Sequence, residues 1–389
     1  MKKVVLAYSG GLDTSVAIKW LKDRGYEVIA YMADVGQEKT TTAAIARAKK
    51  AGAAKVVVRD LKKKFVTDYI WPALKAGAVY EGRYTLATAL SRPLIAAEQV
   101  AVAHAQNATA VAHGCTGKGN DQVRFEVTVQ ILDSALEILA PVREWEFKSR
   151  QDEIRYAQRH GIPIEVSKKS PFSIDKNIWG VSIEAGVLED PNTEPPADAF
   201  QWTRGAQTRN LKEAVIEIEF FKGVPVGLNG KKMEAIKLIT ALNELGSRYG
   251  IGRMDMIENR LVGIKSRETY EAPAATILIQ AHKDLEALVL DRELLHYKEG
   301  VAQKYAELVY YGLWFTPLRS ALDAFVRTTQ EKVTGTTRMK LRKYSAYVVG
   351  RTSPYSRYNE SLATYTVKDK FDQRLAKGFI DLWALPYKR

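Results

Sequence analysis

From Lys3 to Tyr8 the chain is apolar almost without a break, through Val4, Val5, Leu6 and Ala7. The spacing then changes. Within Asp13–Lys22 the apolar residues are Val16, Ala17, Trp20 and Leu21, one face of a helix. The same exchange recurs down the chain. Strands are predicted at Glu27–Ala33, Lys55–Arg59, Thr109–His113 and around Glu137–Ala140, with helices at Thr40–Ala51, Ser91–Ala105 and Asn120–Asp133. Strands separated by helices predict an α/β fold with a parallel sheet and right-handed crossovers. Such sheets bind ligands at the carboxyl ends of their strands. The loops to inspect therefore begin at Ser9, Asp34 and Gly114.

From Pro163 to Pro196 helical period is lost and five prolines occur (163, 171, 191, 195 and 196). This stretch reads as a domain crossing made of ordered loop, since it also carries Trp179. Beyond it, Ala214–Phe221 and Pro225–Leu228 suggest a hairpin, and Lys232–Leu245 a helix with Met233, Ile236, Ile239, Ala241 and Leu242 on its apolar side. Helices are predicted at Ala274–Leu290, Asp291–Tyr311 and Pro317–Arg327, and strands at Arg338–Leu341 and Ser345–Val349. The second half is thus α+β. At the tail, Phe371, Leu375, Phe379, Leu382 and Trp383 share one helix face. Such a terminus docks either on its own domain or on another subunit.

The 389 residues suggest two or three domains, two being the simpler division. The single cysteine, Cys115, excludes a disulfide scaffold. No apolar run approaches the roughly 18 residues of a membrane-spanning helix. The N-terminal apolar run stops at Tyr8 before a glycine turn, so it reads as a strand and not a signal peptide. A cytoplasmic enzyme is the default expectation. The net charge of +13 and pI of about 9.4 fit two classes: a binder of nucleic acid or membranes, or an enzyme for anionic small molecules. The lysines lie in short scattered runs (Lys62–Lys64, Lys168-Lys169, Lys231-Lys232), with no Arg-rich arm.

Ser9-Gly10-Gly11-Leu12-Asp13-Thr14-Ser15 joins the first strand to the first helix. Two glycines permit a tight turn and keep Cβ atoms away from a ligand. The helix start offers unpaired N–H groups and the positive end of its dipole, a site for phosphate. Ser9, Thr14 and Ser15 add hydroxyl donors. Asp13 can cap the helix or hold a magnesium ion that neutralises phosphate. No G-K-[ST] follows the glycines, so this is not a Walker A loop.

The loop resembles the pyrophosphate-binding loop of the N-type ATP pyrophosphatases, whose fold is adenine nucleotide alpha hydrolase-like. The resemblance implies that AMP is attached to a substrate oxygen and pyrophosphate released. Within that group no glutaminase domain is visible, Lys2 cannot provide an N-terminal cysteine nucleophile, and one cysteine cannot supply the pair that thiolating tRNA enzymes usually need. Of the tRNA-modifying members only a lysidine synthase-like enzyme remains as an alternative.

Four further blocks resemble argininosuccinate synthases. Ala112 to Glu126 is a second Gly-rich turn that opens a helix. It carries Thr116, Asn120, Asp121 and Arg124, with Asn120 and Arg124 on one face. An arginine there can grip a carboxylate in bidentate fashion. The others are Tyr80–Tyr84 running to Ser91-Arg92-Pro93, Pro171 to Pro191, and Gly252 to Glu271. The resemblance covers essentially the whole chain.

It implies an ATP-binding domain over 1–165, a synthetase domain for citrulline and aspartate over 166–365, and a C-terminal oligomerisation helix over 366–389. It assigns ATP binding to Ala7, Tyr8, Ser9, Gly10, Gly11, Leu12, Asp13, Thr14, Ser15, Ala33 and Gly114. Citrulline falls to Tyr84, Asn120, Arg124, Ser173, Ser182, Glu258 and Tyr270, and aspartate to Thr116, Asn120 and Asp121. The chemistry is expected of Asp13, Asp121 and Arg124. Arg124 would hold the citrulline carboxylate, Glu258 its amine, and Asp121 would orient the attacking amine or take its proton. ATP and Mg²⁺ are the implied cofactors, the metal held with ATP and not by protein ligands alone. A homotetramer in arginine biosynthesis is expected, with no nucleic-acid or membrane partner. One position departs from the family pattern: Ala89 stands where a citrulline-binding serine is usual. A neutral hydrogen bond lost there is worth about 0.5–1.5 kcal/mol.

Overall fold

The computed structural model describes residues 1–37, 41–163, 171–206 and 211–388. Thr40, the Lys168-Lys169 pair and the 165/166 boundary lie outside the described residues. The first sheet contains β1 (Lys2–Ala7), β2 (Tyr26–Asp34), β3 (Lys55–Asp60), β4 (Ala110–Ala112) and β5 (Glu137–Leu139). All pairings are parallel, in the order β3-β2-β1-β4-β5. The order reverses between β1 and β4, which makes their carboxyl ends a crevice for ligands. Successive side chains of β1 serve opposite faces. Val4 and Leu6 pack with Val16, Ala17 and Leu21 of the helix Leu12–Asp23. Val5 packs with Ala96, Val100 and Ala103 of the helix Ala87–Ala105. A sheet covered on both faces explains the unbroken apolar run that marks β1 in the sequence.

Two antiparallel sheets follow. One is built from β8 (Ala214–Phe221), β9 (Val224–Leu228), β10 (Lys231–Lys232), β13 (Gly335–Arg342) and β14 (Ser345–Thr352), ordered β10-β9-β8-β13-β14. Helices Ala235–Tyr249 and Pro273–Val289 pack with it in the largest hydrophobic cluster. The other contains β6 (Ser173–Asn177), β7 (Gly180–Glu184), β11 (Arg253–Asn259) and β12 (Lys265–Glu271), ordered β11-β12-β7-β6.

This four-stranded sheet corrects the sequence reading. The described part of Pro163–Pro196 contains a hairpin, β6–β7, where only loop was expected, and the polar block from Gly252 to Glu271 is a strand pair. The hairpin tip also ties the sheets together. Ile178 N–H donates to the Val35 carbonyl (3.0 Å), the Trp179 indole to the Thr85 carbonyl (3.0 Å), and Asn177 Nδ2 to the Ala87 carbonyl (2.9 Å). Gly36 permits the approach: its φ is +97°, and a Cβ there would stand 2.8 Å from Ile178 Cβ. A further helix absent from the sequence reading, Arg150–Arg159, begins with a capping box between Ser149 and Asp152.

Candidate active site

The first loop lies at the carboxyl end of β1. Gly10 adopts φ +79°, and a Cβ there would lie 3.0 Å from that of Ala44. Gly11 precedes the Leu12–Asp23 helix with extended backbone and no side-chain cap, which leaves the helix start open to a ligand. Ser15 Oγ donates back to the Gly11 carbonyl (2.7 Å), and Ser9 Oγ meets Thr14 Oγ1 at 3.1 Å. Tyr8 is buried beneath the loop with its hydroxyl 3.1 Å from Ser15 Oγ. Arg47 donates to the Gly10 carbonyl. Ala33 is near the end of the neighbouring strand β2, and Gly114 follows β4 across the crevice. A Cβ on Gly114 would stand 2.8 Å from Thr14 Cγ2, so the two loops touch.

Asp13 sits in the first turn of its helix, half-buried. Glu153, from the Arg150–Arg159 helix, is its hydrogen-bond neighbour. Burial, then the charge of Asp13 and that bond, push Glu153 up to about 8. Sequence reasoning gave no sign of this carboxyl pair.

The second group surrounds the helix Asn120–Leu132. Asp121 is held between two arginines: Arg92 Nε reaches one oxygen at 2.8 Å and Arg124 Nη1 the other at 2.8 Å. Burial raises its pKa, but the charges and hydrogen bonds of Arg92 and Arg124 outweigh burial and hold it below the ordinary carboxylate range. Arg92 also pairs with Asp175 of β6. Arg124 is 3% exposed and donates from Nε to the Tyr310 carbonyl (2.9 Å). Its remaining terminal nitrogen, Nη2, is buried without a hydrogen-bond partner among the described residues. Thr116 is exposed in the turn before this helix.

The third group centres on Glu258, which is 3% exposed. Tyr270 and Tyr310 each donate a hydroxyl to it, one to each carboxylate oxygen, both at 2.6 Å. Tyr84 stacks on Tyr270 with ring centres 4.3 Å apart. The Tyr84 hydroxyl accepts from the N–H groups of Thr88 (3.0 Å) and Ala89 (3.3 Å) at the start of the Ala87–Ala105 helix. Asn120 accepts from Leu261 N–H (2.9 Å) and donates to the Tyr310 hydroxyl (2.8 Å).

Strand register explains why these residues share a wall. Asp175 pairs with Ser182, and Ser182 with Tyr270, so their side chains leave the same face of the sheet. Ser173, two residues before Asp175, belongs to that face at the exposed end of β6. Glu258 and Glu268 lie on it too, by alternation along β11 and β12. Arg260 joins Glu184 (2.8 Å) to Glu268 (2.6 Å). Burial, with Glu184 and Glu258 nearby, pushes Glu268 up to about 8. A cavity of about 380 Å³ lined by Glu194, Phe200, Arg253, Thr269 and Tyr344 contains none of the sequence-predicted site residues.

Tyr84, Asn120, Arg124, Glu258 and Tyr270 thus form one buried cluster. Asp121 joins it through Arg124, and Ser182 through its pairing with Tyr270. Arg92, Asp175 and Tyr310 belong to the same network and were not singled out as site residues from the sequence. Arg92 lies in the Ser91-Arg92-Pro93 block and Asp175 in the Pro171 to Pro191 block, so membership of those blocks is the signal that points to both. No cluster of three or more His, Cys, Asp or Glu suited to a metal ion occurs among the described residues. No described helix is long and apolar enough to cross a membrane.

Comparison with known proteins gives consistent matches over the whole chain. The family model for the argininosuccinate synthase N-terminal HUP domain matches residues 3–163, and that for the C-terminal domain matches residues 172–389. An argininosuccinate synthase of Chlorobium luteolum is 57% identical over 388 residues, covering 100% of this chain and 97% of the relative. One of Carboxydothermus hydrogenoformans is 55% identical with the same coverage. Among solved structures, a 4-thiouridine synthetase–RNA complex with bound ATP is matched over 41% of each chain, at 17% identity and a TM-score of 0.31. That likeness is too weak to bear on substrate.

Proposed function

The chain belongs to the argininosuccinate synthase family, and we propose that it ligates citrulline to aspartate in arginine biosynthesis, converting ATP to AMP and pyrophosphate. The observation that carries the assignment to these residues is the buried Nη2 of Arg124, which has no hydrogen-bond partner among the described residues, together with the buried carboxylate of Glu258, linked to Arg124 through Tyr310. A lone buried guanidinium donor is costly unless a ligand meets it. An amino-acid zwitterion satisfies both groups, its carboxylate on Arg124 and its ammonium on Glu258. Tyr84, Asn120, Ser173, Ser182 and Tyr270 line the remainder of this citrulline site.

ATP is the substrate of the first loop. Ala7 to Ser15, with Ala33 and Gly114, would cradle its phosphates at the open helix start. The half-buried Asp13 carboxylate suits Mg²⁺ only together with ATP phosphates, and the ion would supply charge neutralisation for the leaving pyrophosphate. The ureido oxygen of citrulline attacks the α-phosphorus, and pyrophosphate departs. The citrullyl-AMP so formed is attacked at its activated carbon by the α-amine of aspartate, and AMP leaves. Thr116, Asn120 and Asp121 would hold the aspartate. Of the two roles expected of Asp121, its paired arginines and depressed pKa support orientation over proton removal. The division into 1–165, 166–365 and 366–389, a cytoplasmic location and assembly as a homotetramer belong to the same reading. The exposed tail helix supports assembly.

The test is pyrophosphate release from ATP and Mg²⁺, with citrulline and aspartate omitted in turn. Citrulline-dependent release, with sustained AMP formation only when aspartate is present, is the expected result. Release that requires tRNA and lysine instead would move the chain to the lysidine branch.

A further inference from the structure

Tyr310 is the last residue of the helix Arg292–Tyr310, and the helix end is pressed against the site. Gly312, at φ +76°, allows this: a Cβ there would stand 2.8 Å from Arg124 Cα. Tyr310 touches both charged groups assigned to citrulline. Its carbonyl accepts from Arg124 Nε (2.9 Å), and its ring lies beneath the guanidinium, 4.8 Å from Cζ. Its hydroxyl donates to Glu258 (2.6 Å) and accepts from Asn120 Nδ2 (2.8 Å). The ring itself is fixed by Tyr80, stacked at 3.6 Å between centres and only 7° from parallel. Tyr80 in turn donates its hydroxyl to the Asn259 carbonyl, one residue beyond Glu258.

From these contacts we infer that Tyr310 is a positioning residue, the rigid spacer that sets the distance between the cation-holding Glu258 and the anion-holding Arg124. The inference rests on the citrulline reading above. The mechanism is geometric. Glu258 has one oxygen fixed by Tyr270 and the other by Tyr310, so loss of the Tyr310 hydroxyl frees one side of the carboxylate to turn. Arg124, held by the Tyr310 backbone and by Asp121, stays in place. The clamp then still binds a carboxylate but no longer presents its acid at the separation an α-amino acid requires. Tyr310 thereby selects α-amino acids over ligands that have the same chain and carboxylate but lack the amine.

The test compares wild type with Tyr310→Phe, which keeps the ring, its stack and its backbone contacts. Two ligands are used: citrulline as substrate, and 5-ureidopentanoate, which is citrulline without its α-amine, as competitive inhibitor. The expected result is a rise in KM for citrulline of about tenfold or more, the scale of one hydrogen bond to a charged group. The inhibition constant for 5-ureidopentanoate and the KM for ATP should stay nearly constant, while the melting temperature falls only by what one lost buried hydrogen bond costs. The preference for citrulline over its deamino analogue should therefore shrink by the factor lost in KM. Equal weakening of both ligands would make Tyr310 a general packing residue and overturn the inference, as would an unchanged citrulline KM. Wild-type turnover separates the two readings: without argininosuccinate formation both fall, whereas unselective loss with turnover intact removes only this one.

Discussion

Gly114 lies so close to Thr14 that a methyl group on the glycine would stand 2.8 Å from Thr14 Cγ2. The two loops that flank the crevice of the parallel sheet are thus in van der Waals contact, although one follows β1 and the other β4. Gly114→Ala would push the Thr14 side chain out of its place in the phosphate loop. We expect a loss of about 1–3 kcal/mol in stability from the added methyl, together with a raised KM for ATP and a smaller effect on that for citrulline. Unfolding by urea and initial rates at varied ATP measure the two.

Asp121, itself half-buried, bridges the half-buried Arg92 and the buried Arg124. Asp121→Asn leaves two guanidinium groups short of charge and should cost about 3 kcal/mol, with a large loss of turnover. The sign of its pH dependence follows from the depressed pKa. The folded chain releases this proton more readily than the unfolded one, so the stabilisation is present above about pH 4 and is lost as pH falls through the folded value. Wild type and variant should therefore converge in stability in acid. A gap that persists there would place the stabilisation elsewhere.

Glu153 has the opposite sign. Its folded pKa of about 8 lies above the ordinary carboxyl value, so the native chain holds this proton while the unfolded chain releases it. Stability then falls as pH rises through the interval between the two values. Glu153→Gln cannot ionise and keeps a donor for Asp13. It should equal wild type near pH 5 and exceed it near pH 8, by about 1 kcal/mol once screening of the part-exposed group is allowed for. Melting curves at the two pH values test this, and a pH-independent difference would contradict it.

Ala89 is fully buried, and its N–H lies 3.3 Å from the Tyr84 hydroxyl. Ser91 cannot substitute for a hydroxyl at 89 without breaking its own bond to the Thr88 carbonyl (2.9 Å). Ala89→Ser should lower the KM for citrulline by up to about tenfold, the scale of one neutral hydrogen bond. An unchanged or raised value in steady-state kinetics would show that the serine has no role here.

The tail helix Leu375–Trp383 buries none of its residues within the chain; Leu375, Phe379, Leu382 and Trp383 are each more than 60% exposed. Packing on its own domain is thus not what the single chain shows. So large an apolar stripe calls for a partner surface. Truncation before Phe371 should give smaller particles by light scattering, and an unchanged mass would remove the tail from the assembly.

The sequence by itself determined the parallel sheet and its loops. Val4 to Ala7 is apolar because β1 is covered on both faces, and Ser9 to Ser15 announces an anion site through local backbone chemistry alone. Both signals lie within a few consecutive residues, where pattern reading works. The β6–β7 hairpin and the β11–β12 pair were illegible for a physical reason. One face of that sheet carries Ser173, Asp175, Ser182, Glu258, Glu268 and Tyr270; the other is apolar in β7, at Val181 and Ile183, but in β11 and β12 it carries Asp255, Asn259, Arg267 and Glu271, so those strands lack the apolar alternation that marks a strand in sequence. Tyr310 was hidden in another way. Its helix reads as ordinary amphipathic sequence, and Arg124 is 186 residues distant along the chain. Asp13 with Glu153, and Arg92 with Asp175, are likewise pairs between distant segments. Residue types that can bind a zwitterion were visible in the chain; which of them meet, and which nitrogen of Arg124 is left for a ligand, was decided only by tertiary packing, because hydrogen bonds and burial depend on distance in space.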